Sequence, residues 1–316
     1  MIKSLKVSNV AHLSFQLHFN AKKEKEISFK INDSYLYNML LLTCDDKSDP
    51  SYFLFPFTLL SYLGTEYFNE LCFSVGSPVV ESKIEIEFFY YNIDMSEHDL
   101  IKYVLVFNQH GIIKELLNDI DIRDNNSSKY ATELPELITS YFQTYQHFNC
   151  LNEIQVNKYY SISVEMIKSS STFKKFVVDF FNRLGYIVND LFFDDNELQL
   201  IYKYASGKVD VEYDNELKLI TALASVLFVV FMKNGILYIS NAIKVLPHES
   251  TVSFYEILSS HKALKRVNCQ FLVEERDDVF NFLYNSNFSF SPLIEDVQII
   301  KVTEYLNTPI VEWKKN

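Results

Sequence analysis

A chain of 316 residues with 48% apolar and 22% charged side chains can bury a substantial core, which excludes a disordered tail. A formal charge of −12, with only Arg123, Arg183, Arg266 and Arg276 as arginines, excludes a general nucleic-acid binder, whose affinity comes from neutralising phosphates. The six glycines lie no closer than 12 positions apart, which excludes GxxxxGK[ST] and GxGxxG loops, since a phosphate cradle needs glycines close together.

The chain opens with two alternating segments, 3–9 and 12–20, that predict a hairpin through Val10-Ala11. Residues 26–31 read as a short strand. From 34 to 43 an apolar run (YLYNMLLL) reads as a helix, and a second apolar stretch, 52–63, packs nearby. Strands follow at 83–92 (KIEIEFFYYN), 102–108 (KYVLVFN) and 110–117, with Gln109, His110 and Gly111 at a turn. Residues 119–128 (DIDIRDNNSS) read as a solvated loop: they resemble half a calcium loop, but lack its mid-loop glycine and place Arg123 where an oxygen ligand is wanted. Residues 131–184 read as a helical insertion. Phe142, Tyr145 and Phe148, then Phe173, Phe176, Val177 and Phe180, fall at helical spacing there. In the last third, strands at 198–204, 208–213, 235–239, 269–273, 297–302 and 309–313 alternate with helices at 216–232, 250–260 and 277–284. Apolar strands alternating with helices predict an α/β fold with a mainly parallel sheet. The longest apolar run, 219–232, has 14 residues against the roughly 20 that a bilayer span needs, so it reads as a buried helix.

Chemistry-bearing motifs are scarce. Cys44, Cys72, Cys150 and Cys269 have no CxxC spacing and no secretory signal precedes them, so they read as reduced thiols in the cytoplasm. The seven histidines form neither HxxxH nor HExxH, and no GxSxG elbow exists. One acidic constellation resembles a PD-(D/E)xK magnesium nuclease. Asp194, Asp195 or Asp210 with Glu216 would hold the metal, and Lys218 would position the attacking water. Six residues from Asp210 to Glu216 are too few to reach a neighbouring strand, and Glu216 opens a helical run. The constellation therefore also reads as acids favoured by a helix dipole.

Taken in order, the segments resemble the head of RecF-like and SMC-like ABC ATPases, in particular the stand-alone ATPases of anti-phage and abortive-infection systems related to the overcoming-lysogenization-defect nucleases. MIKSLKVSN and LSFQLHFN are similar to the two opening strands of that family. KINDSYLYNML at 30–40 is similar to its phosphate loop, GPNGSGKSNLL, and matches at Asn32, Ser34, Asn38 and Leu40. Leu36 then stands at the phosphate-gripping lysine, Tyr37 at the magnesium-binding serine, and Lys30, Asp33 and Tyr35 at the three glycines. The strands 84–92, 102–108 and 111–117 resemble the head-lobe strands. YDNELKLITALASVL resembles the signature helix, with Asp214 and Glu216 at its serine and glycine positions. GILYISNAI resembles the strand that ends Asp-Glu, with Ser240 at the magnesium-ordering aspartate and Asn241 at the general base. Leu246-Pro247-His248 stands for a Leu-His-Pro turn, and Glu274-Glu275-Arg276 for the Thr-His-Ser switch.

The resemblance implies an ABC-ATPase-like domain over 1–316, with a mainly parallel sheet, an antiparallel N-terminal lobe and an inserted helical lobe at 131–184. Each retained piece is structural and each lost piece is catalytic. The chain is therefore expected to be a pseudo-ATPase without catalytic, cofactor or metal residues, binding no nucleotide, acting as a scaffold, sensor or regulatory subunit. Its partner would be another protein or a second copy, with no membrane and weak or no nucleic-acid binding. The alternative is the PD-(D/E)xK nuclease.

Overall fold

The fold was obtained as a computed structural model. It describes residues 1–10, 13–21, 28–31, 34–37, 39–44, 54–92, 97–123, 134–194, 197–202, 215–242, 245–246, 250, 253–254, 257–258, 269–276, 298–305 and 308–313. In chain order the elements are β1 (Ile2–Val10), β2 (Leu13–His18), β3 (Asn20–Ala21), β4 (Ser28–Ile31), β5 (Ser34–Tyr37), β6 (Met39–Cys44), α1 (Leu54–Ser61), α2 (Tyr67–Val75), β7 (Ser82–Asn92), β8 (Glu97–Asn108), β9 (Gly111–Leu117) and β10 (Ile120–Asp121). There follow α3 (Leu134–Phe142), β11 (Gln146–Asn149), α4 (Glu153–Ser169), α5 (Ser171–Arg183), β12 (Val188–Asp194), β13 (Glu197–Tyr202), α6 (Asn215–Lys233), β14 (Ile236–Ser240), β15 (Gln270–Arg276), β16 (Gln298–Tyr305) and β17 (Thr308–Trp313).

Two six-stranded sheets carry the molecule. One is antiparallel, in the order β10-β9-β8-β7-β1-β2; the other has the order β11-β14-β15-β6-β16-β17 and is parallel except for its last pair. The parallel sheet expected to dominate is thus one of two equal partners in a mixed α/β fold. The expected hairpin is β1–β2, closing with Val10 opposite Leu13. Strand alternation drives Leu5, Val7, Leu17, Ile84, Ile86, Phe88, Tyr103, Leu105 and Phe107 to one face, where α1, α2 and α3 cover them.

The parallel sheet separates two cores. Ile236, Tyr238 and Leu272 face the antiparallel sheet and the first three helices. The alternate residues Leu237, Ile239, Phe271 and Val273 face α4, α5 and α6. Helix α6 is buried along most of its length, from Leu219 to Leu227, as its largely apolar sequence predicts. No helix of the described residues is long and apolar enough to cross a membrane. Gln270, 1% exposed, ties the sheets together: its Oε1 accepts the Ile2 N–H and its Nε2 donates to the Ile2 carbonyl at 2.7 Å.

Some expectations change. Residues 34–43 are not a helix: β5 pairs with β4 in a small antiparallel sheet, and β6 is a central parallel strand between β15 and β16. A continuous apolar run such as Met39-Leu40-Leu41-Leu42 has no period, so it suits a buried strand as well as a buried helix. The stretch 131–184 contains β11 between helices. Phe142 and Tyr145 therefore belong to one core and Phe148 to the other, and the three form no common helical face. The second aromatic series does lie on a helix, with Phe173, Val177 and Phe180 buried on α5. In the acidic segment Asp119 pairs with Lys102 at 3.1 Å, and Asp121 Oδ1 accepts the Arg123 N–H at 3.1 Å; residues 124–128 lie outside the described residues. So do 208–213 and 277–284.

Candidate functional site

The strands β11, β14, β15, β6 and β16 run in parallel, so Asn149, Ser240, Arg276, Cys44 and Tyr305 end on one edge. In an open α/β sheet the crevice outside this edge is where ligands bind. Across it, Asn149, Ser240, Glu274 and Leu42 lie in register on neighbouring strands.

The edge is polar, and its acids come from β15, which ends Glu274-Glu275-Arg276, while β14 ends without one. Ser240 is buried, and its Oγ lies 3.4 Å from His147 Nε2. His147 stands edge-on to Tyr238, ring centroids 5.6 Å apart, and burial holds its imidazole below the ordinary value of 6.5. The Tyr238 hydroxyl donates to Glu274 Oε2 at 2.8 Å. Asn241, the residue after β14, has φ of 60°, a left-handed conformation that asparagine tolerates better than most side chains. Its amide donates to Asn149 Oδ1 at 3.2 Å. Neither Ser240 nor Asn241 carries a carboxylate; the acid in register with Ser240 is Glu274 on the neighbouring strand. Among the described residues no group of three or more His, Cys, Asp or Glu side chains could hold a metal.

A phosphate loop follows a strand and opens a helix, so that backbone N–H groups at the helix start meet the anion. The segment 30–40 does not have that form, because it runs through β4, β5 and into β6; Tyr35, Leu36 and Tyr37 are residues of a hairpin strand. The strand and helix that such a loop would join are β6 and α1. Between them lie residues 45–53, DDKSDPSYF, outside the described residues; this sequence has no glycine and includes Pro50, which has no N–H to offer.

Glu216 sits in the first turn of α6, and its Oε1 accepts a hydrogen bond from the Tyr186 hydroxyl. Lys218 lies on the same helix with its ammonium 5.6 Å from the centre of the Tyr160 ring. Both belong to a helix, not to the strand that a PD-(D/E)xK site requires. Asp194 ends β12, whereas Asp195, Asp210 and Asp214 lie outside the described residues. Of the remaining segments, β14 ends at Ser240 and β15 ends with Glu274-Glu275-Arg276, while Pro247 and His248 are outside the described residues.

Two edge residues, His147 and Asn149, went unread in the sequence. A signal was present: Asn152-x-x-Gln155 is an N-cap pattern, and a helix starting there leaves 146–149 free to be a strand. In the fold, Asn152 Oδ1 accepts the Gln155 N–H at 3.1 Å, and Gln155 Oε1 accepts the Asn149 N–H at 2.8 Å. Beside them, between the starts of α4 and α6, a cleft of about 300 Å³ is lined by Leu151, Glu153, Val156, Lys218 and Leu219, among others.

No family model matches the chain, and no curated protein matches it. Solved structures do. The SMC head domain from Thermotoga maritima superposes with a TM-score of 0.57 at 11% identity, over 100% of this chain and 99% of that one. An SMC head bound to the C-terminal winged-helix domain of ScpA gives 0.59 at 12%, over 99% and 97%. The Pyrococcus furiosus SMC head with an extended coiled coil, bound to the C-terminal domain of ScpA, gives 0.54 at 10%, over 99% and 96%. At such identities the likeness carries the fold alone: end to end, this chain has the fold of an SMC-type ATPase head.

Proposed function

We propose that the chain is a pseudo-ATPase, a head that has kept the ATPase scaffold and lost nucleotide hydrolysis. It works as a scaffold, sensor or regulatory subunit of a cytoplasmic prokaryotic or phage-related defence complex. The observation that carries this reading is the carboxyl edge of the parallel sheet. The segment from β6 to α1 contains no glycine, and β14 ends at Ser240 and is followed by Asn241, where hydrolysis requires acids. Glu216 in the first turn of α6 adds a charge that repels a phosphate approaching that helix. An SMC head bound to a domain of ScpA offers a precedent for a head that works through a protein partner. The whole chain serves as one domain, with α3, α4, α5 and β11 of the segment 131–184 built into its sheet and cores rather than inserted, and its partner is a second copy or another protein.

The test is a thermal-shift titration with magnesium and ATP or ADP. A ligand at 100 times its Kd raises stability by about 2.7 kcal/mol. No shift up to millimolar nucleotide is expected. A saturable, dose-dependent rise in melting temperature would overturn the reading.

A further inference from the structure

Strand β11 has four residues and, among the described residues, lies at the edge of its sheet with one neighbouring strand. A short edge strand belongs to the part of a fold that opens first, because few buried contacts and few ladder bonds hold it. Here its carboxyl end is tied to two neighbours by side chains. The ladder to β14 runs one bond past the last pair, with the Cys150 N–H donating to the Ser240 carbonyl at 3.0 Å. The carboxamide oxygen of Asn149 uses both lone pairs: one accepts the Leu151 N–H at 3.0 Å, the other the Asn241 amide at 3.2 Å. The Asn149 N–H donates to Gln155, a residue of the first turn of α4. The left-handed backbone at Asn241 turns the chain out of the β14 ladder at the point where its side chain meets Asn149.

We infer that Asn149 and Asn241 form a clasp that makes the edge of the parallel sheet and the start of α4 move as one body. Residues 150–153 run directly from the clasped strand end into the wall of the cleft, so the clasp also fixes the cleft's shape. A partner pressing on either place then acts on the other without a hinge between them. This inference stands on the hydrogen bonds alone and is independent of nucleotide binding.

Backbone hydrogen–deuterium exchange on the full chain tests it, comparing the parent with Asn149→Ala, Asn241→Gly and the double variant. Glycine adopts the left-handed conformation freely, so Asn241→Gly removes the amide and leaves the turn. Loss of one hydrogen bond should speed local exchange about fivefold. Asn241→Gly is expected to accelerate the amides of 149–156, which are about 90 positions away in sequence, and to leave α2 unchanged. Asn149→Ala should accelerate the same amides more, and the double variant no further. Unchanged exchange over 149–156 in Asn241→Gly would overturn the inference, as would fully additive effects in the double variant. Should Asn149→Ala fail to fold, the Asn241→Gly comparison decides alone.

Discussion

Gln270 is a single side chain that satisfies both backbone groups of Ile2 between the two sheets. Replacing it with leucine keeps the volume and leaves a buried N–H and a buried carbonyl without partners. Each such orphan costs about 1–3 kcal/mol, so Gln270→Leu should lower stability by several kcal/mol in a denaturant melt, whereas an exposed Gln→Leu change would be near neutral. The thiols of Cys72 and Cys269 are both pushed up to about 12, mainly by burial, so neither is a thiolate at neutral pH. Mass-spectrometric mapping should find them unmodified by iodoacetamide in the native protein and modified once it is unfolded. His147 supplies a pH dependence of known sign. Burial lowers its folded pKa, so the unfolded chain takes up the proton first. Its contribution is complete above the unfolded value near 6.5 and is lost as pH falls from there through the lowered folded value. The drop in melting temperature between about pH 7.5 and about pH 5.5 should therefore be smaller in His147→Gln than in the parent. The free thiols were legible from the cysteine spacing, but the roles of Gln270 and His147 were not. Sequence distinguishes glutamine from leucine, but not the one glutamine that a second sheet will cover.

At the scale of elements, long periodic segments were readable and short apolar ones were not. The hairpin β1–β2, the strands β7, β8 and β9, and helix α6 follow from alternation or from length. Strand β6 was misread because four successive apolar residues carry no phase, and β11 because its Phe148 fell by accident at helical spacing from Phe142 and Tyr145. The error set the expected phosphate loop before β6 rather than after it, whereas the segments ending at Ser240 and Arg276 were read correctly as strands. Helix α2 also went unread, and its exit is tightly built. A Cβ at Gly76 would lie 2.6 Å from the Asn108 backbone carbon and 2.7 Å from the Cys72 carbonyl oxygen. Both obstacles are backbone and cannot rotate away. Gly76→Ala should therefore destabilise the protein by about 1–3 kcal/mol by overpacking, although its φ of −71° would suit alanine. In α6, truncating the fully buried Leu223 to alanine should cost about 2–5 kcal/mol.

For the whole molecule, the subunit reading needs an interface, and the fold limits where it can lie. Phe142, Tyr145 and Phe148 are core residues, so an interface has to use other surfaces. Light scattering on the purified protein, together with co-purification from its host, should return a dimer or a stable complex burying at least about 1,000 Å². A monomer without companions would contradict the subunit reading. The excess of acids over bases also predicts weak duplex-DNA binding, with a Kd near 10⁻⁴ M or weaker at physiological salt, measurable by fluorescence anisotropy.

The shared wall between the two cores has a consequence for how the molecule comes apart. Successive residues of β14 and β15 point alternately into one core and the other, so neither core owns those strands. Slipping either strand by one residue would exchange the linings of both cores at once. Loss of packing on one side thus removes the support of the other, and the two halves should melt as a single cooperative unit. Near-ultraviolet and far-ultraviolet circular dichroism should trace one coincident denaturant transition, without a half-folded plateau.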